Sequence, residues 1–261
     1  MDHDELPYLL DHAEAAVTAV ADMDTSIIEL TVHGRWNREL KSAVVTTLQK
    51  TLSEQPSGVI VDLHDLGDPL GESAMLWPAA RKWGAELRPA VPFAICLPTQ
   101  APLAVVLRRC GAQYHQPMYA TLPEARAALR SRRPLTDRLC LGLPAGPAAA
   151  AAARDLVTDG CTTWNLTSVL PAAQQVITEL VVNAVQHGGS DIKISVARQR
   201  TGVHLAVADG NPRIPQMRHF PGGLHVVHNL ASAWGALPTR SGKVVWANVR
   251  SRGNQRQGNG A

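Results

Sequence analysis

Glu179, Asn183 and His187 recur four residues apart in the run Thr178-Glu179-Leu180-Val181-Val182-Asn183-Ala184-Val185-Gln186-His187-Gly188. On a helix, that spacing lines an acid, an amide and an imidazole along one stripe, while Ile177, Leu180, Val181 and Ala184 supply an apolar surface for packing. A carboxylate accepts a proton or orients a hydroxyl, and an amide oxygen one turn later is a ligand for a hard cation such as Mg²⁺. Gly188 then lets the backbone turn away from the helix. Acid, amide and cation are the ingredients of nucleotide-phosphate chemistry. The plainer reading of the same residues is the wet face of an amphipathic helix.

Two later stretches favour the chemical reading. Val203 to Ala208 alternates like a strand and ends in Asp209-Gly210-Asn211-Pro212, which puts a carboxylate at the mouth of a sheet beside a turn. Pro221-Gly222-Gly223-Leu224 leads into an apolar-periodic helix through Val227 and Leu230, and glycines opening a helix leave bare N–H groups that cradle phosphate.

In this order, Glu-x-x-x-Asn on a helix, Asp-x-x-Pro after a strand and Gly-Gly before a helix resemble the ATP-binding domain shared by histidine kinases, Hsp90, gyrase and MutL. The nearer likeness is to anti-sigma-factor serine/threonine kinases, over residues 138–250. The resemblance implies a histidine-kinase/Hsp90-like α/β sandwich with ATP and Mg²⁺ as cofactors. It makes Glu179 the catalytic residue that orients or deprotonates the acceptor hydroxyl, and Asn183 the Mg²⁺ ligand. Asp209 accepts from the adenine amino group, Gly210 gives the base room, and Gly222, Gly223 and Leu224 form the phosphate loop and its helix. His187 lies near the phosphates in that family, while a histidine ending a helix also interacts favourably with the helix dipole; both readings stand. Lys243, in a hairpin turn, either reaches the nucleotide or is solvated. The chain departs from the family in having Pro221-Gly222-Gly223 where the kinases often have Gly-Arg-Gly, which leaves Arg213 or Arg218 to meet the γ-phosphate. ATP binding is therefore implied more directly than ATP turnover.

The elements upstream must supply the rest. Strand-like Ala15–Val20 and Ser26–His33 precede helical spacing over Arg38–Leu52, a buried-looking strand Val59–Leu63, a helix Ser73–Trp83, a strand Pro92–Leu97, a helix Leu103–Arg109 and a brief strand Gln113–His115. Thr121 and Glu124 form a capping box for a helix to Arg130. This order, with Val61-Asp62-Leu63 ahead of a helix, resembles the STAS domain of anti-sigma-factor antagonists over residues 15–131. Those antagonists carry Asp-Ser-x-Gly there, with a phosphate-accepting serine or threonine. Here the segment reads Leu70-Gly71-Glu72-Ser73, so the acceptor position is Gly71. A shift of register would make Ser73 the phosphoacceptor; the plainer reading is an N-terminal helical serine in a docking or autoregulatory module.

The expected organisation is thus a disordered lead-in over 1–14, a degenerate STAS-like domain over 15–131, a linker at 132–137, the ATPase-like domain over 138–250 and a flexible tail over 251–261. The fold class is α/β in both halves. The function implied is an ATP-binding serine/threonine kinase acting on a STAS antagonist in a partner-switching transcription circuit, with an antagonist or sigma factor as partner and homodimerisation common in the family. The alternative is a non-catalytic, ATP-dependent protein-binding module regulated in cis by its own STAS domain.

Composition sets outer bounds. A hydrophobic share of 45% with 18% charged residues describes a globular chain, and a net charge of +3 without a basic, aromatic-interleaved stripe argues against nucleic acid. The acidic start Met1-Asp2-His3-Asp4-Glu5 differs from a secretory signal, and no run reaches the ~20 apolar residues of a membrane span, so a cytoplasmic protein is expected. Cys96, Cys110, Cys140 and Cys161 show no Cys-x-x-Cys spacing, which points to reduced thiols rather than a zinc site or disulfides.

Overall fold

The computed structural model describes residues 8–9, 16–22, 25–87, 90–131, 138–199, 201–215 and 223–251. The first half opens with β1 (Tyr8–Leu9) and a hairpin of β2 (Val17–Asp22) and β3 (Ile27–Val32), antiparallel from Val17↔Val32 to Asp22↔Ile27. After β4 (Gly34–Arg35), the side chain of Asn37 accepts from the Leu40 amide at 2.8 Å and so caps α1 (Arg38–Ser53), which buries Leu40, Val44, Leu48 and Leu52 at helical spacing. The short apolar runs become β5 (Gly58–Asp62) and β7 (Phe93–Cys96), parallel neighbours separated in sequence by β6 (Leu66–Gly67) and α2 (Leu76–Glu86). Then come α3 (Pro102–Arg109), β8 (Met118–Tyr119) and α4 (Leu122–Arg130), the last capped by Thr121.

The second half contains β9 (Arg138–Leu143), α5 (Ala149–Thr163), α6 (Leu170–His187), β10 (Ile192–Gln199), β11 (Gly202–Asp209), α7 (Gly223–Leu230), β12 (Ala233–Thr239) and β13 (Gly242–Arg250). The fold is mixed α/β, with a sheet of 11 strands in the order β8-β7-β5-β3-β2-β12-β13-β11-β10-β9 and β1 beside β12. The two halves share this sheet through a narrow parallel seam, with the register pair Thr239↔Ala21 between β12 and β2.

Side-chain alternation assigns the two faces of the second half. Val203, Leu205 and Val207 of β11 and Val245, Ala247 and Val249 of β13 pack in one core with Ile177, Leu180 and Val181 of α6 and Val157 of α5. Their alternates Ala206, Val244 and Trp246 join the core of the first half, with Leu48 and Leu52 of α1. Strands covered on both sides cannot read as apolar-polar alternation, and every residue of β13 except Arg250 is buried.

Four local expectations change. The helix expected from Ser73 begins at Leu76, because Asp68 holds the preceding turn by accepting from the amides of Glu72 and Ser73, each at 2.9 Å. Gln113–His115 is no strand: Gly111 at φ +71° starts a 3₁₀ turn over Ala112–Tyr114, and β8 follows it. Tyr8–Leu9, expected within a disordered lead-in, pairs with Gly235–Ala236. The helix that the sequence starts at Pro147 and carries to Asp159 instead runs from Ala149 to Thr163. The expected linker at 132–137 and the tail beyond Ser251 lie outside the described residues.

Candidate functional site

Helix α6 carries the first motif as its sequence requires. Val176, Ile177, Leu180, Val181 and Ala184 are buried, Glu179 and Asn183 are half-buried, and His187 is exposed in the last turn. Eight residues separate Glu179 from His187, about 12 Å along the axis at 1.5 Å per residue. Neither Glu179 nor Asn183 is hydrogen-bonded to another described side chain, so both remain available to a ligand.

The second motif meets the first at the C-terminal end of α6. A Cβ on Gly188 would lie 2.6 Å from Asp209 Cβ, so glycine is required for the helix to end against β11. Asn211 Nδ2 donates to the His187 carbonyl at 2.7 Å, which ties the Asp209-Gly210-Asn211 turn to the helix terminus and satisfies a carbonyl left open there. Gly210 N–H donates to Ser190 Oγ at 2.8 Å, and a side chain at Gly210 would collide with that same hydroxyl. The glycine expected to make room for a base is thus also needed by Ser190.

Asp209 is committed. Its carboxylate is buried, and Oδ1 accepts from Lys243 Nζ at 2.8 Å and from the Asn211 amide at 2.8 Å. Lys243 is itself buried, with a further bond to the Asn211 carbonyl at 3.2 Å. Lys243 and Asp209 are cross-strand partners on β13 and β11, which explains why a lysine in an apparent hairpin turn is not solvated. A cleft of about 650 Å³ opens beside this turn at the seam between the halves, lined by Asp22, Arg130, Ser190, Lys193, Gly210 and Arg240. Glu179 and Asn183 do not line it.

The third motif is placed in part: Gly223 is the first residue of α7, Leu224 packs half-buried against the α6 core, and Gly222 and Arg218 lie outside the described residues. Arg213 is exposed, two residues past Asn211, whose Oδ1 accepts its amide at 3.0 Å.

In the first half, Ser73 is 1% exposed, its hydroxyl donates to Asp68 Oδ2 at 2.6 Å and it accepts from Trp77 Nε1 at 3.0 Å. In this conformation the hydroxyl is a structural link between a turn and a helix, out of reach of a phosphoryl donor. Gly71, at φ +68°, packs so closely that a Cβ would fall 2.7 Å from Val106 Cγ2. Leu70 and Met75 stand exposed on either side.

Two pronounced pKa shifts lie elsewhere. Burial raises the Glu54 carboxyl to about 8, partly offset by Arg138. Burial also lowers His204 to about 4, opposed by its bond with Asn248 at 2.9 Å. Both belong to a polar layer between α1 and the sheet of the second half, where Asn248 Nδ2 donates to the Ser53 carbonyl and Asn248 Oδ1 accepts from Gln199. Lys243, Ser190 and Asn211 are the site residues that sequence reasoning placed incompletely or missed. No sequence spacing marks the pairing of Asp209 with Lys243, which rests on the register of β11 and β13.

No family model matches this sequence, and no curated protein matches it. Among solved structures, an anti-sigma factor antagonist from Mycobacterium paratuberculosis is similar at 18% identity and a TM-score of 0.37, over 46% of this chain and 99% of that one. A likeness that distant transfers neither activity nor partner. No helix among the described residues is long and apolar enough to cross a membrane.

Proposed function

We propose that the chain is an ATP-binding regulatory protein of the partner-switching kind, in which the second half engages Mg²⁺ and ATP along α6 and the first half is a docking module. One observation carries the reading: Glu179, Asn183 and His187 follow one another down α6, whose C-terminal end packs against Asp209 and Asn211, so two motifs remote in sequence meet at one end of the helix. The donor set suits the group. Asn183 offers a hard oxygen ligand, and Glu179 stands one turn away with its carboxylate available. Bound ATP with Mg²⁺ supplies a transferable phosphoryl group. Glu179 is then placed to orient or deprotonate the hydroxyl of a serine or threonine on a separate antagonist protein. Asp209 would accept from the adenine amino group, with Lys243 holding its charge balanced.

Calorimetric titration with ATP, with and without Mg²⁺, tests this on the wild type and on Asn183→Ala. Mg²⁺-dependent binding is expected in the wild type and lost in the variant; absence of binding in the wild type overturns the reading. Glu179→Ala should bind ATP as the wild type does and fail to transfer phosphate.

The buried Lys243–Asp209 pair favours a second reading, a protein-binding module without catalysis, since the carboxylate assigned to adenine already has an ammonium partner. Under that reading ATP binds without any phosphoprotein product, and loss of Glu179 has no consequence.

A further inference from the structure

Parallel pairing brings three ligand-bearing side chains together at the carboxyl end of the first half's sheet, far from α6. Asp62 ends β5 and Cys96 ends β7, and the two are register partners, so their side chains emerge on the same face. His64 follows two residues after Asp62 and folds back over it, with Nδ1 2.6 Å from Asp62 Oδ1. One carboxylate oxygen, the imidazole nitrogen and Cys96 Sγ all lie within 4.8 Å of one another. The cysteine is fully buried, Asp62 nearly so, and His64 forms the open side with 38% of its side chain exposed.

The hydrogen bonds around the group leave its ligand atoms facing one another. His64 Nε2 lies 3.1 Å from the Ala120 carbonyl, which only accepts, so Nε2 carries a proton and Nδ1 is the nitrogen turned toward the cluster. At 2.6 Å from a carboxylate oxygen, Nδ1 shares a proton with Asp62, and displacing that proton frees an imidazole lone pair and a carboxylate oxygen for a metal. A histidine whose second nitrogen is anchored on a backbone carbonyl has the outer support found at metal centres. The carboxylate is braced in the same way, with Oδ1 accepting the His64 amide at 3.1 Å.

We propose that Asp62, His64 and Cys96 form a Zn²⁺ site, with three protein ligands and a fourth, solvent-facing position taken by water. The mixed oxygen, nitrogen and sulfur donor set selects zinc over Mg²⁺ or Ca²⁺. Bonds of about 2.0–2.3 Å in a tetrahedron space ligand atoms roughly 3.3–3.8 Å apart. Binding therefore opens the 2.6 Å contact between His64 and Asp62 and draws together the ligand atoms that stand farther apart, all within 4.8 Å. Binding replaces two protons, the one shared by His64 and Asp62 and the one on the Cys96 thiol, and both leave to solvent. Burial above all, then the negative charges of Asp62 and Glu124, pushes the Cys96 thiol up, so its proton leaves only to a cation that takes its place; Arg126, the nearby positive group, is held by Glu29 through two hydrogen bonds at 2.5 Å.

The full chain, stripped with a chelator, should take up one Zn²⁺ per molecule in competition with a chromophoric chelator. Co²⁺ in its place should give tetrahedral absorption with a thiolate charge-transfer band. His64→Ala alters an exposed side chain and should weaken Zn²⁺ binding about 100-fold or more, beyond the loss caused by removing a merely supporting group. Cys96→Ser should abolish the thiolate band, and Cys110→Ser with Cys140→Ser should leave stoichiometry and affinity unchanged. No stoichiometric uptake, a Co²⁺ spectrum without the thiolate band, or full affinity in His64→Ala would each overturn the proposal.

Discussion

Asp209 and Lys243 stand 34 residues apart in sequence and 2.8 Å apart in the fold, both nearly removed from solvent. Two buried charges are tolerable only as a pair with their remaining hydrogen bonds filled, and the Asn211 amide and carbonyl fill one on each side. Lys243→Ala strands the carboxylate and should lower stability by about 3–5 kcal/mol, measured by urea unfolding. Lys243→Ala combined with Asp209→Ala should recover much of that loss, because no uncompensated charge remains. Sequence made Asp209 legible through its turn, but burial of Lys243 was not. A hairpin lysine is usually solvated, and only the cross-strand register with β11 removes this one from water.

At the scale of elements, caps and apolar spacing were read correctly where they act locally. Thr121 caps α4 as expected, and the apolar stripes of α1 and α6 are the buried ones. The start of α2 was misplaced, because Asp68 acts over five residues to hold a turn that no periodicity marks. Asp68→Ala removes the acceptor for two amides and for the Ser73 hydroxyl inside a buried turn. A loss of about 3 kcal/mol is expected from groups left unsatisfied there, read as a lower urea midpoint at unchanged slope. The β5–β7 pair supplies the converse case. Cysteine spacing gave no hint of a ligand cluster, since Cys96 reaches Asp62 and His64 through a strand register and not through a sequence interval.

Over the whole molecule, the polar layer between α1 and the second half's sheet couples the two halves to pH. Glu54 binds its proton more tightly folded than unfolded, so from about 4.5 up to about 8 the native state holds more protons and stability falls as pH rises. His204 acts in the opposite sense: the unfolded state holds more protons between about 4 and 6.5, and stability rises with pH there. The two slopes oppose one another below pH 6.5, and above it Glu54 acts alone. Thermal unfolding should therefore show a falling Tm between pH 6.5 and 8, and Glu54→Gln should flatten that decline. The mixed α/β class, most of the helices and longer strands, and the stripe of Glu179, Asn183 and His187 on α6 were determined by the sequence alone, because periodicity, caps and turn residues act within a few positions of themselves. Only the tertiary structure decided that the halves share one sheet, that Ser73 is sealed under Asp68 and Trp77, that Lys243 neutralises Asp209, and that Asp62, His64 and Cys96 converge. Each of these depends on strand register or on which face of a sheet is covered, and those are set by packing the whole chain against itself rather than by any local run of residues.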